Sequence, residues 1–337
     1  MAVSNKVLLA HGSGGKTMHK LIKEFFVEGF NNPILAQLTD AAIINGKVKA
    51  LAFTTDSYVV NPIFFPGADI GKLAICGTVN DLSVVGAEPL YISCGFVIEE
   101  GLDLSILKAV IQSMKSAAKK AGVKVVTGDT KVVEKGKADK IFINTSGVGV
   151  IEGNVKLGKS RIKPGDKVII NGFIGEHEIA VLSEREGFDF ESDIKSDCAP
   201  LNGLISNILK LGSGIKFMRD PTRGGLATVL NEIVEGSDYG IELNEEDIPI
   251  SDGVMAACEL LGFESIYLAN EGKVVAIVSD ADAKRVLNIM RRHPLGKDAK
   301  IVGEVVKVPK GKVILKTKVG GMRLIEMLTG EQLPRIC

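Results

Sequence analysis

This 337-residue sequence predicts an α+β fold in two halves. Three observations carry the prediction. The length favours two domains at roughly 100–200 residues each. Strand-like and helical runs are both plentiful, but they do not alternate strictly and several strand runs are adjacent, which argues against a doubly wound parallel sheet. A punctuated stretch at 152–166, with Gly153, Gly158 and the turn Pro164-Gly165-Asp166, separates two patterned regions.

The elements follow in order along the chain. KVLL at 6–9 reads as a short strand, and the loop Gly12-Ser13-Gly14-Gly15 follows it. Apolar residues at Met18, Leu21, Ile22, Phe25 and Phe26 have helical spacing, so 16–28 is a helix. Strands are expected at 41–45 and 50–55, a helix rich in small residues at 70–85, and a strand at 89–98. An amphipathic helix at 104–121 is ended by Gly122, and strands at 123–127 and 141–151 complete the first half. The second half has strands near 167–171, 239–243, 265–269, 273–279 and 300–307. Its helices lie near 177–186, 200–211, 223–235, 252–261 and 281–292. The expected division is an N-terminal loop and helix at 1–31, domains at 32–152 and 153–310, and a flexible tail at 311–337. Gly320-Gly321 is the tail's candidate hinge, before a short amphipathic piece with Met322, Leu324, Ile325 and Leu328.

Composition narrows the function. Lys plus Arg and Asp plus Glu both total 41, which argues against a general nucleic-acid binder, whose footprint is a basic excess. No uncharged apolar run approaches the roughly 18 residues that span a bilayer. The run Val7-Leu8-Leu9-Ala10 is too short for a signal peptide, so a cytoplasmic protein is expected. The five cysteines, at 76, 94, 198, 258 and 337, contain no Cys-x-x-Cys pair. Cys76, Cys94 and Cys258 sit in apolar surroundings and read as buried small hydrophobes.

Four groups of residues point to chemistry. His11-Gly12-Ser13-Gly14-Gly15-Lys16-Thr17 falls one residue short of a P-loop, because Ala10 stands where the first glycine is needed. Backbone N–H groups at a helix start with Lys16 beside them still suit a phosphate, and an ordinary glycine turn is the alternative. Asp40, Asp56, Asp81 and Asp129 each follow an apolar or strand-like segment. Converging carboxylates hold Mg²⁺ together with nucleotide phosphates, whereas a single Asp more often caps a helix or starts a turn. Asp220-Pro221-Thr222-Arg223-Gly224-Gly225 is a second place for phosphate or substrate oxygen, or else a plain loop-to-helix turn. Cys337 is the last residue, and the 17 residues after Gly320 reach roughly 55–60 Å when extended. That geometry suits a carrier arm, the alternative being an incidental terminal thiol.

Together these motifs resemble those of a known family. HGSGGK at 11–16, TTDSYVVNPIFFPG at 54–67, GTVNDLSVVGAEP at 77–89, GDTKVV at 128–133 and DPTRGGLA at 220–227 carry the resemblance, with Asn270-Glu271-Gly272 and PRIC at 334–337. The sequence is similar to the carbamoyl dehydratases of hydrogenase maturation. These lie within the superfamily of aminoimidazole ribonucleotide synthetase and selenophosphate synthetase. The resemblance implies a PurM-like fold of two α+β domains with a mobile C-terminal tail. It implies a homodimer whose first domain, 32–152, binds ATP and Mg²⁺. It also implies two partners, a carbamoyltransferase and an iron-carrying scaffold complex serving a [NiFe] hydrogenase.

Carried over by residue, Cys337 accepts the carbamoyl group, and Lys131 and Glu271 manage protons. Asp56, Asp81 and Asp129 hold the Mg-nucleotide with Asp40, Asn80 and Thr130 as companions. Gly12, Ser13, Gly14, Gly15 and Lys16 lie over phosphates, and Asp220 and Arg223 add to the nucleotide site. Relatives often read His-Gly where Gly175-Glu176-His177-Glu178 stands here, so His177 stays outside the catalytic set. Two other readings remain open: a different ATP-using synthetase of the superfamily, and a non-catalytic, nucleotide-gated thiol carrier.

Overall fold

The computed structural model describes residues 15–28, 33, 35–45, 50–152, 155–187, 194–212, 214–328, 333 and 335–337. The strand expected at 6–9, Gly12, Ser13, Gly14 and Pro334 lie outside the described residues. The helical spacing over 16–28 becomes α1 (Lys16–Leu21), which winds on as a π-helix over Ile22–Val27.

The first half contains β1 (Ala42–Asn45), β2 (Ala50–Tyr58), β3 (Phe64–Phe65), β4 (Ala68–Asp69), α2 (Ile70–Val84), β5 (Ala87–Glu99), α3 (Leu104–Ala121), β6 (Lys124–Val133) and β7 (Ile141–Ile151). Five of these strands form one sheet in the order β1-β2-β7-β5-β6. Only β5 and β6 pair in parallel, because α3 carries the chain back between them. Side chains alternate along β2: Ala52, Thr54, Asp56 and Tyr58 turn to the side of α2, and Leu51, Phe53, Thr55 and Ser57 to the open side.

α2 is buried nearly all round, as its uniformly apolar and small residues require. Asp69 caps it, accepting from the N–H groups of Gly71 (2.7 Å) and Lys72 (3.2 Å). Its glycines let neighbours close in. A Cβ on Gly71 would stand 2.5 Å from the Val110 carbonyl oxygen of α3, and one on Gly77 2.3 Å from the Tyr58 hydroxyl.

The second half contains β8 (Lys167–Ile170), α4 (Glu176–Glu186), α5 (Asn202–Leu209), β9 (Ile215–Arg219), α6 (Gly225–Val234), β10 (Gly240–Asn244), α7 (Asp252–Leu261), β11 (Val275–Val278), α8 (Asp280–Arg291), β12 (Lys300–Val306), β13 (Val313–Lys316) and β14 (Met322–Ile325). Its sheet runs β14-β13-β10-β12-β8-β11-β9 and is covered on both faces. Val168 and Ile170 of β8 share a core with Leu226, Leu230 and Ile233 of α6. Ile169 turns the other way, to Leu204 and Ile208 of α5 and Val286 and Met290 of α8. No helix among the described residues is long and apolar enough to cross a membrane.

Three expectations change. The flexible tail does not begin at 311. β13 adds in parallel to β10, burying Val313 and Leu315, and β14 pairs with β13. Gly320 (φ 84°) is then a turn residue of that hairpin, not a hinge, and the piece read as amphipathic over 322–325 is a strand. The strand expected at 265–269 is a 3-10 turn over Ser265–Tyr267, since its carbonyls lie against the backbone of Gly225 rather than beside another strand. β9, with the sequence IKFMR, carries too little apolar pattern to have been foreseen.

Asn80 of α2 ties the halves together instead of facing a ligand. Its Nδ2 donates to the carbonyls of Ala199 (3.1 Å) and Glu271 (3.2 Å), and its Oδ1 accepts from the Leu201 N–H (2.8 Å). This corrects its expected place beside the nucleotide. Truncation leaves those buried backbone groups unpaired. Asn80→Ala is therefore expected to lower the unfolding free energy by about 2–4 kcal/mol, read from urea melts.

Candidate active site at the seam between the halves

A cavity of about 450 Å³ opens between the two halves. Asp56 enters it from the end of β2, Asp81 from α2, and Asp40 from the segment before β1. Arg219 and Asp220 enter from the end of β9, Arg223 and Thr228 from the start of α6, and Met18 and His19 from α1.

The carboxylates crowd one another. Thr54 Oγ1 lies 2.8 Å from Asp81 Oδ2 and 2.9 Å from the Asp40 carbonyl oxygen. The Tyr58 hydroxyl donates to Asp56 Oδ2 at 3.1 Å. Burial, then Asp56, Asp220 and Asp40, hold the Asp81 carboxyl far above the usual carboxylate range. Burial and Asp40 push Asp220 up to about 8. Burial also raises Asp40, although Arg219 Nε stands 2.8 Å from its Oδ1 and opposes the shift. Arg219 also meets Glu232 Oε2 at 2.8 Å, and His19 Nε2 lies 2.7 Å from Glu232 Oε1. Among the described residues, no three His, Cys, Asp or Glu side chains form a group that could hold a metal ion.

The loops at the rim are clamped. Gly224 (φ 76°) and Gly225 (φ 59°) take left-handed backbone at the start of α6. Asn270 Nδ2 donates to the carbonyls of Pro221 and Leu268, both at 2.9 Å, and its Oδ1 accepts from Gly175 N–H at 2.8 Å. Asp197 accepts from the N–H groups of Glu271 (3.0 Å) and Gly272 (3.1 Å) and pairs with Lys273 Nζ at 3.0 Å. Those clamps hold Glu271, buried, beside the acidic cluster. Burial, then Asp220 and Asp197, raise its carboxyl far above the usual range, and Arg223 opposes them.

The Cys337 thiol, on a half-buried residue, packs against the core of the first half. Burial pushes it up to about 12, with Arg223 pulling it down and Glu271 and Asp56 pushing it up. For Arg223, the charge on Cys337 is the largest influence on its pKa. Sulfur, guanidinium and carboxyl thus feel one another's charge.

Comparison with known proteins matches this geometry. Residues 38–151 match the AIR synthase related protein, N-terminal domain, and residues 163–316 its C-terminal domain. Carbamoyl dehydratase HypE of Cupriavidus necator is 48% identical over 335 residues, covering 99% of this chain and 95% of that protein. The chain belongs to the HypE family. A crystal structure of a HypE–HypF complex contains a chain 49% identical to this one, with a TM-score of 0.87 over 91% of this chain and 99% of that one. A HypE solved in complex with ATP is 47% identical, with a TM-score of 0.82 over 98% of this chain and all, 100%, of that one.

Against this HypE frame, the expected residues divide. Asp40, Asp56, Asp81, Asp220 and Arg223 line the cavity; Glu271 and Cys337 do not, but both feel the charges of Asp56 and Arg223, which do. Asp129, Thr130 and Lys131 do not join them within one chain. They stand exposed on β6, an edge strand, and the register Asp129–Gly95–Asn144–Ser57 puts Asp129 on the open face, opposite Asp56. Gly15 caps α1, and Lys16 faces a separate groove, where its Nζ lies 3.8 Å from Glu326 Oε2. Reading the sequence missed Thr54, Tyr58, Arg219, Glu232, Asp197 and Lys273. Only Thr54 and Tyr58 had a signal, their period of two with Asp56.

Glu178 of α4 supplies a pH test of this interior. Its Oε2 accepts from the Ala269 N–H at 2.6 Å, and burial raises it from 4.5 to about 7. The unfolded chain loses this proton at lower pH than the folded one, so stability falls as pH rises from about 4.5 to about 7. Glu178→Gln removes that loss. It should match the wild type at pH about 4 and exceed it by up to roughly 3 kcal/mol at pH about 8, measured by urea unfolding.

Proposed function

We propose that this chain is an ATP-dependent carbamoyl dehydratase of [NiFe] hydrogenase maturation, acting on a carbamoyl group carried by its own Cys337. The observation that carries the reading is the place of that thiol, packed against the core of the first half with Arg223, a residue of the acidic cavity, as its electrostatic neighbour. The HypE relatives named carbamoyl dehydratase and the ATP-bound HypE structure support it.

The thiocarbamate S–C(=O)–NH₂ on Cys337 has a poor leaving group in its oxygen. Transfer of the ATP γ-phosphoryl to that oxygen lets it depart as phosphate while the nitrogen gives up two protons. The products are a thiocyanate on Cys337, ADP and phosphate, with no change of oxidation state. Arg223, beside the sulfur, stabilises negative charge as it gathers on the transferred group. Glu271 takes a nitrogen proton; its raised pKa, opposed by Arg223, brings it toward the range a proton shuttle needs.

Mg²⁺ fits this donor set. The buried carboxylates hold one another's protons on, so they are short of positive charge. Mg²⁺ is commonly held by one or two carboxylates together with phosphate oxygens, so a complete protein cage is not required. Asp56, Asp81 and Asp220 would hold it, with Asp40 drawn aside by Arg219. When bound, it would neutralise phosphate charge and align the phosphoryl group.

The open face of the first sheet argues for a homodimer. Leu51, Phe53, Tyr91, Val97, Val126 and Val132 are exposed there or along the free edge at β6. Solvent-facing strands normally show polar residues on that side. Pairing two such faces would bring Asp129, Thr130 and Lys131 to the partner's nucleotide. A carbamoyltransferase, as HypF in the solved complex suggests, would load Cys337, and an iron-carrying scaffold would receive the cyanide. These exchanges belong in the cytoplasm.

Three outcomes test the reading. After incubation with the carbamoyl-donor system and then Mg-ATP, the C-terminal peptide gains a carbamoyl mass and then loses one water by mass spectrometry. A non-catalytic carrier would show the gain without the loss. Cys337→Ala abolishes both changes yet keeps ATP affinity, whereas Asp81→Ala weakens Mg-ATP binding at least about tenfold by calorimetry. Val126→Asp converts the dimer to a monomer in light scattering.

A further inference from the structure

The final three residues are held by groups that the reaction itself does not use. Their backbone pairs antiparallel with the segment after β2: Val59 N–H donates to an α-carboxylate oxygen of Cys337 (3.2 Å) and Asn61 N–H to the Arg335 carbonyl (3.2 Å). This is strand addition, the mode by which many domains bind peptides. Arg185 of α4 staples the pair, its Nε donating to the Asn61 carbonyl and a terminal nitrogen to the Arg335 carbonyl, both at 2.7 Å. His177 reaches the carbonyl between them, with Nε2 3.0 Å from the Ile336 oxygen. A carbonyl only accepts, so the His177 proton sits on Nε2. Nδ1 then accepts from the Ser196 hydroxyl at 2.8 Å, and burial keeps the ring neutral.

Side chains add sequence selectivity. Arg335 adopts left-handed backbone (φ 56°), which aims its guanidinium at Asp139 Oδ2 (2.6 Å) and the Val59 carbonyl (2.8 Å), 5.8 Å from the centre of the Phe142 ring. Ile336 is 5% exposed and belongs to the core of the first half. Cys337 follows directly, so anchoring its two predecessors decides where its sulfur stands.

We propose that Val59, Asn61, Asp139, His177 and Arg185 form a peptide-binding cradle that recognises Arg-Ile-Cys as a separable ligand and thereby positions the carrier sulfur. The positioning role rests on the reading of Cys337 as the carbamoyl carrier. These are positioning residues, since their hydrogen bonds go to the tail backbone and to Arg335, not to the sulfur. A tripeptide of this sequence from another molecule satisfies the same contacts, so the cradle accepts a tail in trans when its own is displaced.

The test uses full-length protein. Arg335→Glu releases the chain's own tail, and a fluorescent peptide, Leu-Pro-Arg-Ile-Ser, is titrated onto that variant by anisotropy. Saturable binding is expected, at least about tenfold tighter than for Leu-Pro-Glu-Ile-Ser. Adding Asp139→Lys, a half-exposed position, gives the tail's new carboxylate a partner, so the chain's own tail should reseat and binding of either peptide should fall at least about tenfold. Equal binding of the two peptides to the Arg335→Glu variant, or none up to about millimolar concentration, overturns the cradle. Separately, Arg185→Ala in the otherwise native chain should speed alkylation of Cys337 by iodoacetamide about tenfold, followed by the mass of the C-terminal peptide. An unchanged rate also overturns it. No readout here uses ATP turnover. A native chain that passes these tests but fails to dehydrate its carbamoyl group sinks the dehydratase reading alone, and the converse result sinks the cradle alone.

Discussion

Asp40, Asp56, Asp81, Asp220 and Glu271 are gathered away from bulk water where the two halves meet, with the guanidinium groups of Arg219 and Arg223 facing them. Burying carboxylates together is unfavourable, and the raised pKa values of Asp40, Asp81, Asp220 and Glu271 reflect that cost. Such an arrangement persists only if the surrounding fold overdetermines it. In the proposed mechanism a cation and a polyphosphate entering this cavity would relieve the crowding, coupling binding energy to folding strain.

The means of overdetermination are buried amides and one buried ion pair. Asn80 joins α2 to the 199–201 and 271 backbone, Asn270 joins the 221 loop to the start of α4, and Asp197 with Lys273 fixes the 271–272 peptide. All of these close on backbone groups of irregular segments, which lack ladder partners of their own. These loops are therefore fixed in place by side-chain hydrogen bonds, although they have no regular structure. The sheets supply the frame; the amides decide where the loops stop.

The carrier thiol depends on the same frame. α4 carries both His177 and Arg185, and its first turn is tied through Gly175 to Asn270, next to Glu271. One short helix thus links the grip on the C-terminal residues to the loop that presents the carboxyl group. With burial raising the sulfur's pKa to about 12, the seated thiol is held neutral. In the proposed mechanism, loading by a partner would belong to a released state and dehydration to the seated one.

Much of this was legible in the residues. The 104–121 helix with its Gly122 stop, the strand at 141–151 and the apolar α2 follow from periodicity and capping, which act within a few residues. The acidic motifs at 56, 81 and 220 were likewise visible, because an aspartate after an apolar run announces itself. Long-range pairing was not. β13 and β14 look like a loose tail until the open edge of β10 captures them, and Asn80 looks like a ligand until Ala199 and Leu201 come within reach. Asp129 shares its motif style with Asp56, yet strand register turns it to the opposite face. The amino-acid order by itself determined the local elements, the inventory of carboxylates and the terminal thiol, since those depend on neighbours in the chain. Tertiary structure alone decided which carboxylates meet and what seats the sulfur, since hydrogen bonds and burial join residues more than a hundred positions apart.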